Sequence, residues 1–391
     1  MGAGDRRDGV EAAVTADGDL AGLVVIDLGG MGPAARCVRL LADLGARWIR
    51  IAAPGSAGRH DMPWHVYGAM RGAEEIALDL KAPAGREVLL RLAERADVVV
   101  ECFRPGVADR LGIGYRAVQA RNPRIVYCAA TGFGQSGPYA ALAAHDLNYQ
   151  ALSGALDGTQ RRADGAPAVP AITAADSAGG GWLAALRILA ALQARSRTGQ
   201  GQFLDIAAAE GMLHLNALAL DEALAGGAPG DLLTGFYACY EIYPAADGGH
   251  LAVAAIEPRF FATLCACLGL PALAAAQYDR ARQDEVKAAL RVAFATRSRD
   301  AWMQALAGKD VCVSPVLSLA EVAQDPHWQA AGMFRRYRHP LHGDVVQLAA
   351  VGGGERGPVP ARDGASQEAL LRSFGFTDAE IAALRPGAGP P

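Results

Sequence analysis

Three short stretches of the 391-residue chain set acid–base groups in apolar surroundings: Ala144-His145-Asp146-Leu147, Ala175-Asp176-Ser177-Ala178 and Ile256-Glu257-Pro258. An imidazole and two carboxylates, if the fold gathers them, can take a proton from carbon and give one back. That chemistry needs two bases facing one acidic carbon with water kept away. His145, Asp176 and Glu257 are the candidates for it. Each also has a plainer account. Asp176 precedes a long helical run and is placed to cap it. Glu257 before Pro258 fits a solvated turn. His145 is one of 8 histidines, set apart by Asp146 beside it, a helical run after it and a glycine-rich loop before it. At a helix start, the backbone N–H groups of Asp146 and its neighbours can hold a developing oxyanion. Spacing alone leaves these alternatives open.

The glycine-rich loop, Thr131-Gly132-Phe133-Gly134-Gln135-Ser136-Gly137-Pro138, follows an apolar strand. A loop at a strand's carboxyl end is a natural wall for a ligand. A second glycine turn, Gly30-Met31-Gly32-Pro33-Ala34-Ala35, loosely matches a dinucleotide fingerprint. NAD binding also asks for an acidic residue ending the second strand, and that end reads Arg50-Ile51-Ala52-Ala53. The turn is therefore read as a tight strand-to-helix connection, whose helix N-terminus remains a seat for a negative group.

The elements that must carry these residues alternate. Val24 to Leu28 is a strand, followed by a helix to about Leu44 in which Pro33 suits the first position. Further strands are expected over Trp48 to Ile51, Ile76 to Leu80, Asp97 to Glu101 and Pro123 to Ala129, with a helix over Gly85 to Ala96. A long apolar helix is expected from about Gly181 to Ala194, then a strand over Phe203 to Ile206 and helical sequence to about Leu224. This alternation predicts an α/β fold whose large Rossmann-like domain, 21–225, holds a parallel sheet covered on both faces. Beyond a Gly/Pro-rich linker near Ala225 to Gly230, residues 226–330 read as a smaller α+β domain. Residues 1–20 read as a disordered lead, and 331–391 as a segment returning to the large domain and a tail.

Composition narrows the function classes. A net charge of −4 without basic runs argues against nucleic-acid binding. No stretch is long and apolar enough for a membrane span, and the polar start lacks a signal-peptide core, so a cytoplasmic location is expected. The 7 cysteines are scattered and read as buried, reduced thiols, and no Cys or His pair has a zinc spacing.

One set of motifs recurs in a known order. It comprises Cys102-Phe103-Arg104-Pro105-Gly106-Val107 with Arg110-Leu111-Gly112, then Gly132-Phe133-Gly134-Gln135-Ser136-Gly137-Pro138-Tyr139 and His145-Asp146-Leu147-Asn148-Tyr149. It continues in Gly199-Gln200-Gly201-Gln202, Ala255-Ile256-Glu257-Pro258 and Cys312-Val313-Ser314-Pro315. From about Leu23 to Pro340 the chain resembles the α-methylacyl-CoA racemase branch of the family III CoA-transferase (CaiB/BaiF) superfamily. The resemblance implies an interlocked homodimer with active sites between the large domain of one chain and the small domain of the other. It implies acid–base work by His145, backed by Glu257 and neighboured by Asp146, on one face of a substrate α-carbon and by Asp176 on the other. It implies a CoA-thioester substrate, no separate cofactor and no metal. Its CoA-binding positions fall on Arg50, Leu78, Asp79, Lys81, Cys102, Phe103, Arg104, Arg110, Gly134, Asn148 and Tyr149.

The chain departs from that pattern at one edge. Where members carry cationic residues, this sequence has Ala53, Ala73 and Glu74, with Glu75 adding negative charge, so a polyphosphate is expected to be repelled there. Two further readings follow. One is the same triad acting on a CoA-free or carrier-bound metabolite. The other is a CoA transferase with Asp176 as the acyl-carrying nucleophile.

Overall fold

The computed structural model describes residues 18–55, 70–159, 161–226, 232–339, 343–357 and 363–384. The expected lead up to residue 17, part of the linker and the tail from residue 385 lie outside the described residues. The chain divides into two compact units, one formed by Met1–Ser153, Pro170–Leu215 and Ala331–Pro391, the other by Gly154–Val169 and Asn216–Ala330.

The first unit is built on a six-stranded parallel sheet. Its strands are β1 (Val24–Asp27), β2 (Arg47–Ala52), β3 (Ala73–Ala77), β4 (Val98–Glu101), β5 (Val126–Thr131) and β6 (Gln202–Ala207), in the order β3-β2-β1-β4-β5-β6. β4 and β5 are buried along their whole length, as strands covered on both faces must be. Alternation divides their side chains between two cores. Ile26, Ile49, Val99 and Tyr127 point to one face. Val25, Trp48, Val98, Val100 and Cys128 point to the other. Helices α1 (Gly32–Asp43) and α6 (Leu183–Thr198) cover the second face, and α2 (Pro83–Ala93), α3 (Val107–Arg110) and α4 (Tyr115–Arg121) lie with the first.

The sheet order reverses direction between β1 and β4. In open α/β sheets the crevice beyond the carboxyl ends at such a point is where ligands bind. Here it is bounded by Gly29 and Gly30 after β1 and by Cys102 after β4. The Cys102 sulfur accepts hydrogen bonds from the N–H groups of Gly30 and Met31.

Two elements differ from the sequence reading. The third strand is Ala73–Ala77 rather than Ile76 to Leu80. Leu78 keeps one bond to the carbonyl of Ala52, after which the chain turns at Asp79 to start α2 at Pro83. Glu74 and Glu75 therefore lie inside the strand. The helix expected from Gly181 begins earlier, as a π-helix over Ala175–Trp182 that runs into α6.

The chain returns to this unit as an antiparallel hairpin, β10 (Phe334–His339) with β11 (Gly343–Leu348), and as α14 (Gly364–Ser373) and α15 (Asp378–Ala383). Arg356 pairs with Asp43, whose carboxylate is also held by Arg39 of α1. Leu370, Leu371, Phe374 and Ile381 complete the core on the β3 side. The Gln367 side chain accepts a hydrogen bond from the N–H of Ala77 on edge strand β3.

The second unit contains a three-stranded antiparallel sheet of β7 (Tyr240–Pro244), β8 (His250–Ala254) and β9 (Val313–Pro315). It packs Tyr243, Leu251 and Val253 against α9 (Pro258–Cys267), α10 (Gln283–Phe294) and α11 (Arg299–Leu306), around Phe261, Phe294 and Trp302. α8 (Ala217–Leu224), α12 (Leu319–Val322) and α13 (Pro326–Ala330) complete it.

Candidate active site

Asp176 sits in the first turn of the π-helix, within the helix and not at its cap. Its position depends on glycine. A Cβ on Gly180 would lie 2.6 Å from Pro33, and one on Gly181 would lie 2.5 Å from Arg36, both on α1. On the opposite side, a Cβ on Gly211 of α7 (Ala208–Leu215) would run into the carbonyl of Gly179. The run Gly179-Gly180-Gly181 thus lets the π-helix press between α1 and α7. That contact aims the Asp176 carboxyl at the start of α1, where a Cβ on Gly32 would stand 3.8 Å from its Oδ2.

His145 occupies the N-cap of α5 (Asp146–Leu152), exposed and with extended backbone. Its N–H donates to Oδ1 of Asn148 at 3.0 Å, which fixes the entry into the helix. Tyr149 anchors the same turn from below. Its hydroxyl donates to the carbonyl of Ala144 at 2.9 Å, and its ring meets Phe133 edge-on at 5.1 Å. The ring leaves no room for a Cβ on Gly132. The glycine-rich loop is the bed on which the histidine turn lies. Gly134, with φ +78°, donates to the Thr131 hydroxyl at 3.0 Å, and Gln135 N–H donates to the Asp205 carboxylate.

Asp146 joins the two segments. Its Oδ1 accepts the backbone N–H of Asp176 at 2.8 Å, and its Oδ2 accepts Nε2 of Gln150 at 2.6 Å. Burial raises the proton affinity of the Asp176 carboxyl, and the neighbouring Asp146 charge raises it further, while Arg36 and His145 pull the other way. Burial likewise pushes the Cys102 thiol up to about 11, so it stands in the crevice as a neutral thiol. Beneath the crevice two more carboxyls are lifted by burial to about 7. These are Asp27, held by the N–H of Gly29 and the indole of Trp48, and Glu101, held by the N–H of Phe103.

Glu257 belongs to the second unit, at the exposed N-cap of α9 directly after β8. The residue before it is clamped, with the carbonyl of Ile256 accepting from Nε2 of Gln277 at 2.6 Å and from the hydroxyl of Tyr278. Cys312, the one described non-glycine residue with positive φ (47°), has its thiol raised by desolvation first and then by the Glu257 charge.

The sequence pattern of CoA-transferase family III matches residues 20–365. The chain belongs to CoA-transferase family III. It is 38% identical to α-methylacyl-CoA racemase of Homo sapiens over 93% of this chain and 95% of that one. It is 34% identical to acetyl-CoA:oxalate CoA-transferase of Acetobacter aceti over 81% of this chain and 85% of that one. Among solved structures, a CaiB/BaiF family protein from Brucella suis superposes with a TM-score of 0.76 at 29% identity, covering 91% of this chain and all 100% of that one.

The nucleotide-binding positions that the family resemblance implies fare unequally in this family III chain. Glu74 and Glu75, from which repulsion of a polyphosphate is expected, each have an arginine partner on β2. Arg47 grips Glu74 through two bonds of 2.6 and 2.9 Å, and Arg50 pairs with Glu75 at 2.6 Å. Register between β2 and β3 sets Arg50 directly beside Glu75, while Arg47 reaches Glu74 from two positions away. Arg50 is thereby committed to a carboxylate, although its guanidinium still reaches the Gly30 turn.

Leu78 is a core residue, 5% exposed, and offers a ligand only its backbone. Asp79 spends one oxygen on the N–H of Lys81 and leaves the Lys81 side chain exposed. Phe103 packs against the first core. Arg104, on the loop after β4, and Arg110, the last residue of α3, are both exposed. Asn148 and Tyr149 hold the histidine turn through their own polar atoms. The thiols divide as well: Cys37, Cys128, Cys239 and Cys265 are buried, Cys102 is half-buried, and Cys267 and Cys312 are exposed.

Sequence reasoning missed Gln150, Asp27 and Arg36. Asp27 and Arg36 matter through contacts across the fold, whereas Gln150 bonds Asp146 one helical turn back, an i,i+4 spacing that could have marked it. Among the described residues no helix is long and apolar enough to cross a membrane.

Proposed function

We propose that the chain is an acyl-CoA racemase or epimerase that exchanges the configuration of the carbon next to a thioester by removing and returning its α-proton. The observation that carries this reading is the bond from Asp176 N–H to Asp146, which ties the His145 turn to a carboxyl of raised proton affinity at the start of α1. The 38% identity to the human racemase over nearly the whole chain supports it.

In the mechanism, the α-C–H bond breaks toward one base and its electron pair moves onto the thioester oxygen as an enolate. N–H groups at the start of α5, that of Asp146 first, stabilise the oxygen. The acid on the opposite face then protonates the carbon, and the carbonyl re-forms. His145 serves one face with Glu257 behind it, and Asp176 serves the other. Glu257 lies on the other compact unit, so we assign it to this site through the interlocked homodimer of the family resemblance. CoA enters as part of the substrate, with Lys81, Arg104 and Arg110 as the cations left for its phosphates.

Solvent-deuterium exchange on the two enantiomers of a 2-methylacyl-CoA tests the reading. The wild type should exchange and interconvert both. His145→Ala and Asp176→Asn should each lower interconversion by about 10²-fold or more. Full interconversion in either variant would sink the two-base scheme. A hydroxylamine-sensitive acyl group on Asp176 would instead assign the chain to the transferases, which the 34% identity to a transferase keeps as the second reading. The pairing of Arg47 and Arg50 with glutamates makes a carrier-bound thioester the alternative substrate to assay.

A further inference from the structure

We propose that Asp146 is a positioning residue rather than a proton carrier, and that together with Gln150 it holds the Asp176 carboxyl both in place and in its proton-loaded form. Both Asp146 oxygens already accept N–H groups, Oδ1 from Asp176 at 2.8 Å and Oδ2 from Gln150 at 2.6 Å. A proton on either oxygen would weaken the bond that oxygen accepts, because an ionised carboxylate is the stronger acceptor. Gln150 is 4% exposed, and its Nε2 also reaches the carbonyl of Ile172 at 3.5 Å. One buried amide thus orients the carboxylate and secures the chain entering the π-helix.

The need for such a device follows from the chemistry. A two-base exchange works only if one base rests empty and the other loaded. An unperturbed imidazole and an unperturbed carboxylate are both empty at neutral pH, which leaves nothing to reprotonate the carbon. Burial raises the proton affinity of Asp176 most, and the fixed negative charge of Asp146 beside it raises it further.

The other groups facing Asp176 do not supply that charge. From α1, Arg36 acts in the opposite sense, while Arg39 and Asp43 pair with each other at 2.7 Å. From α5, His145 also opposes, and the Tyr149 hydroxyl is spent on Ala144. α7 meets the π-helix through Gly211 and Met212, its Glu210 and His214 being exposed. Arg187 of α6 is exposed, Cys128 of β5 is a buried thiol, and Asp205 of β6 is bound to the N–H of Gln135.

The kinetic consequence rests on the racemase reading; the protonation of Asp176 does not. Asp146→Asn keeps the shape and an oxygen for the Asp176 N–H but removes the charge. In aspartate-¹³C-labelled protein, the Asp176 carboxyl, assigned by its loss in Asp176→Asn, should then titrate about one pH unit lower than in wild type. With substrate, the basic limb of the reaction that needs Asp176 as acid should move down by the same amount. At pH values above it the rate should fall about tenfold with KM unchanged. Gln150→Met, which leaves the charge but frees it to swing away, should shift the titration in the same direction by less. An unmoved Asp176 titration in these variants overturns the proposal, as does a rate loss that is uniform across pH. If Asp146→Asn does not fold, Gln150→Met decides alone. If wild-type protein exchanges no α-proton on any acyl-CoA, the racemase reading fails while the NMR titration still answers for Asp146.

Discussion

Asp27 shows how one side chain links the sheet to the site and to pH. It ends β1 fully buried, with its oxygens taken by the N–H of Gly29 and the indole of Trp48. It thereby shapes the glycine turn whose next N–H groups meet Cys102. Burial raises its pKa from 3.8 to about 7, so the folded state binds a proton there that the unfolded state has released. Stability from this group is full below pH 3.8 and is lost as pH rises to about 7. Glu101 acts in the same sense between 4.5 and about 7. Urea unfolding followed from pH 5 to pH 7 should therefore show stability falling with pH, by up to about 1.4 kcal/mol per pH unit for each group. Asp27→Asn should flatten that slope. It should also cost about 1–3 kcal/mol at every pH, because one amide oxygen cannot accept both the Gly29 and the Trp48 N–H. An unchanged slope would mean that Asp27 titrates normally. Gly132→Ala is a second residue-level prediction. Its Cβ has no space beside the Tyr149 ring, so stability should drop by about 1–3 kcal/mol, read by thermal melting, and the His145 turn should loosen.

At the scale of elements, the π-helix between α1 and α7 is where geometry becomes chemistry. Gly211→Ala sets a methyl against the Gly179 carbonyl and should destabilise by about 1–3 kcal/mol or more. Proton-exchange activity should fall beyond what the unfolded fraction explains, since the displaced helix carries Asp176. Gly158→Ala, with nothing nearer than 3.9 Å, is the control and should change stability by less than about 0.5 kcal/mol. The same region shows what the sequence could and could not reveal. Val98-Val99-Val100 and Ile125-Val126-Tyr127-Cys128 are legible as buried strands because β-branched and aromatic residues without polar alternation leave little else. Pro33 marked the start of α1 to within one residue, standing second in the helix after Gly32. The π-helix was illegible: three consecutive glycines read as a loop unless two neighbouring helices are known to need the space. Asp176 accordingly looked like a cap. The arginine partners of Glu74 and Glu75 were illegible for a related reason, since they depend on a strand shifted by three residues and on its register with β2. His145, Asp146 and Asp176 were legible as motif residues, but their connection through Asp146 was not, because it spans 30 positions of chain.

Across the whole molecule, chain order and spatial order disagree. The first unit takes its residues from three separated stretches, and the second unit is inserted between them. The last stretch is structural. Leu370, Leu371, Phe374 and Phe376 are all at most 6% exposed and pack with Ile26, Ile49 and Ile76 of the first three strands. Ending the chain before residue 363 should therefore uncover the β3 side of that face. We expect an aggregating product that binds a hydrophobic dye and melts without a cooperative transition. A soluble, cooperatively folding product would show that α14 and α15 are dispensable.

The contact between Gln367 and Ala77 spans 290 positions, which matters during synthesis on the ribosome. β1, β2 and β3 leave the exit tunnel long before the C-terminal helices that complete their cover have been translated. At about 5–20 residues per second, that interval is tens of seconds. A nascent chain with Ile49 and Ile76 uncovered for so long presents a target for holding chaperones. Their release should be timed by the arrival of the C-terminal helices rather than by completion of the sheet.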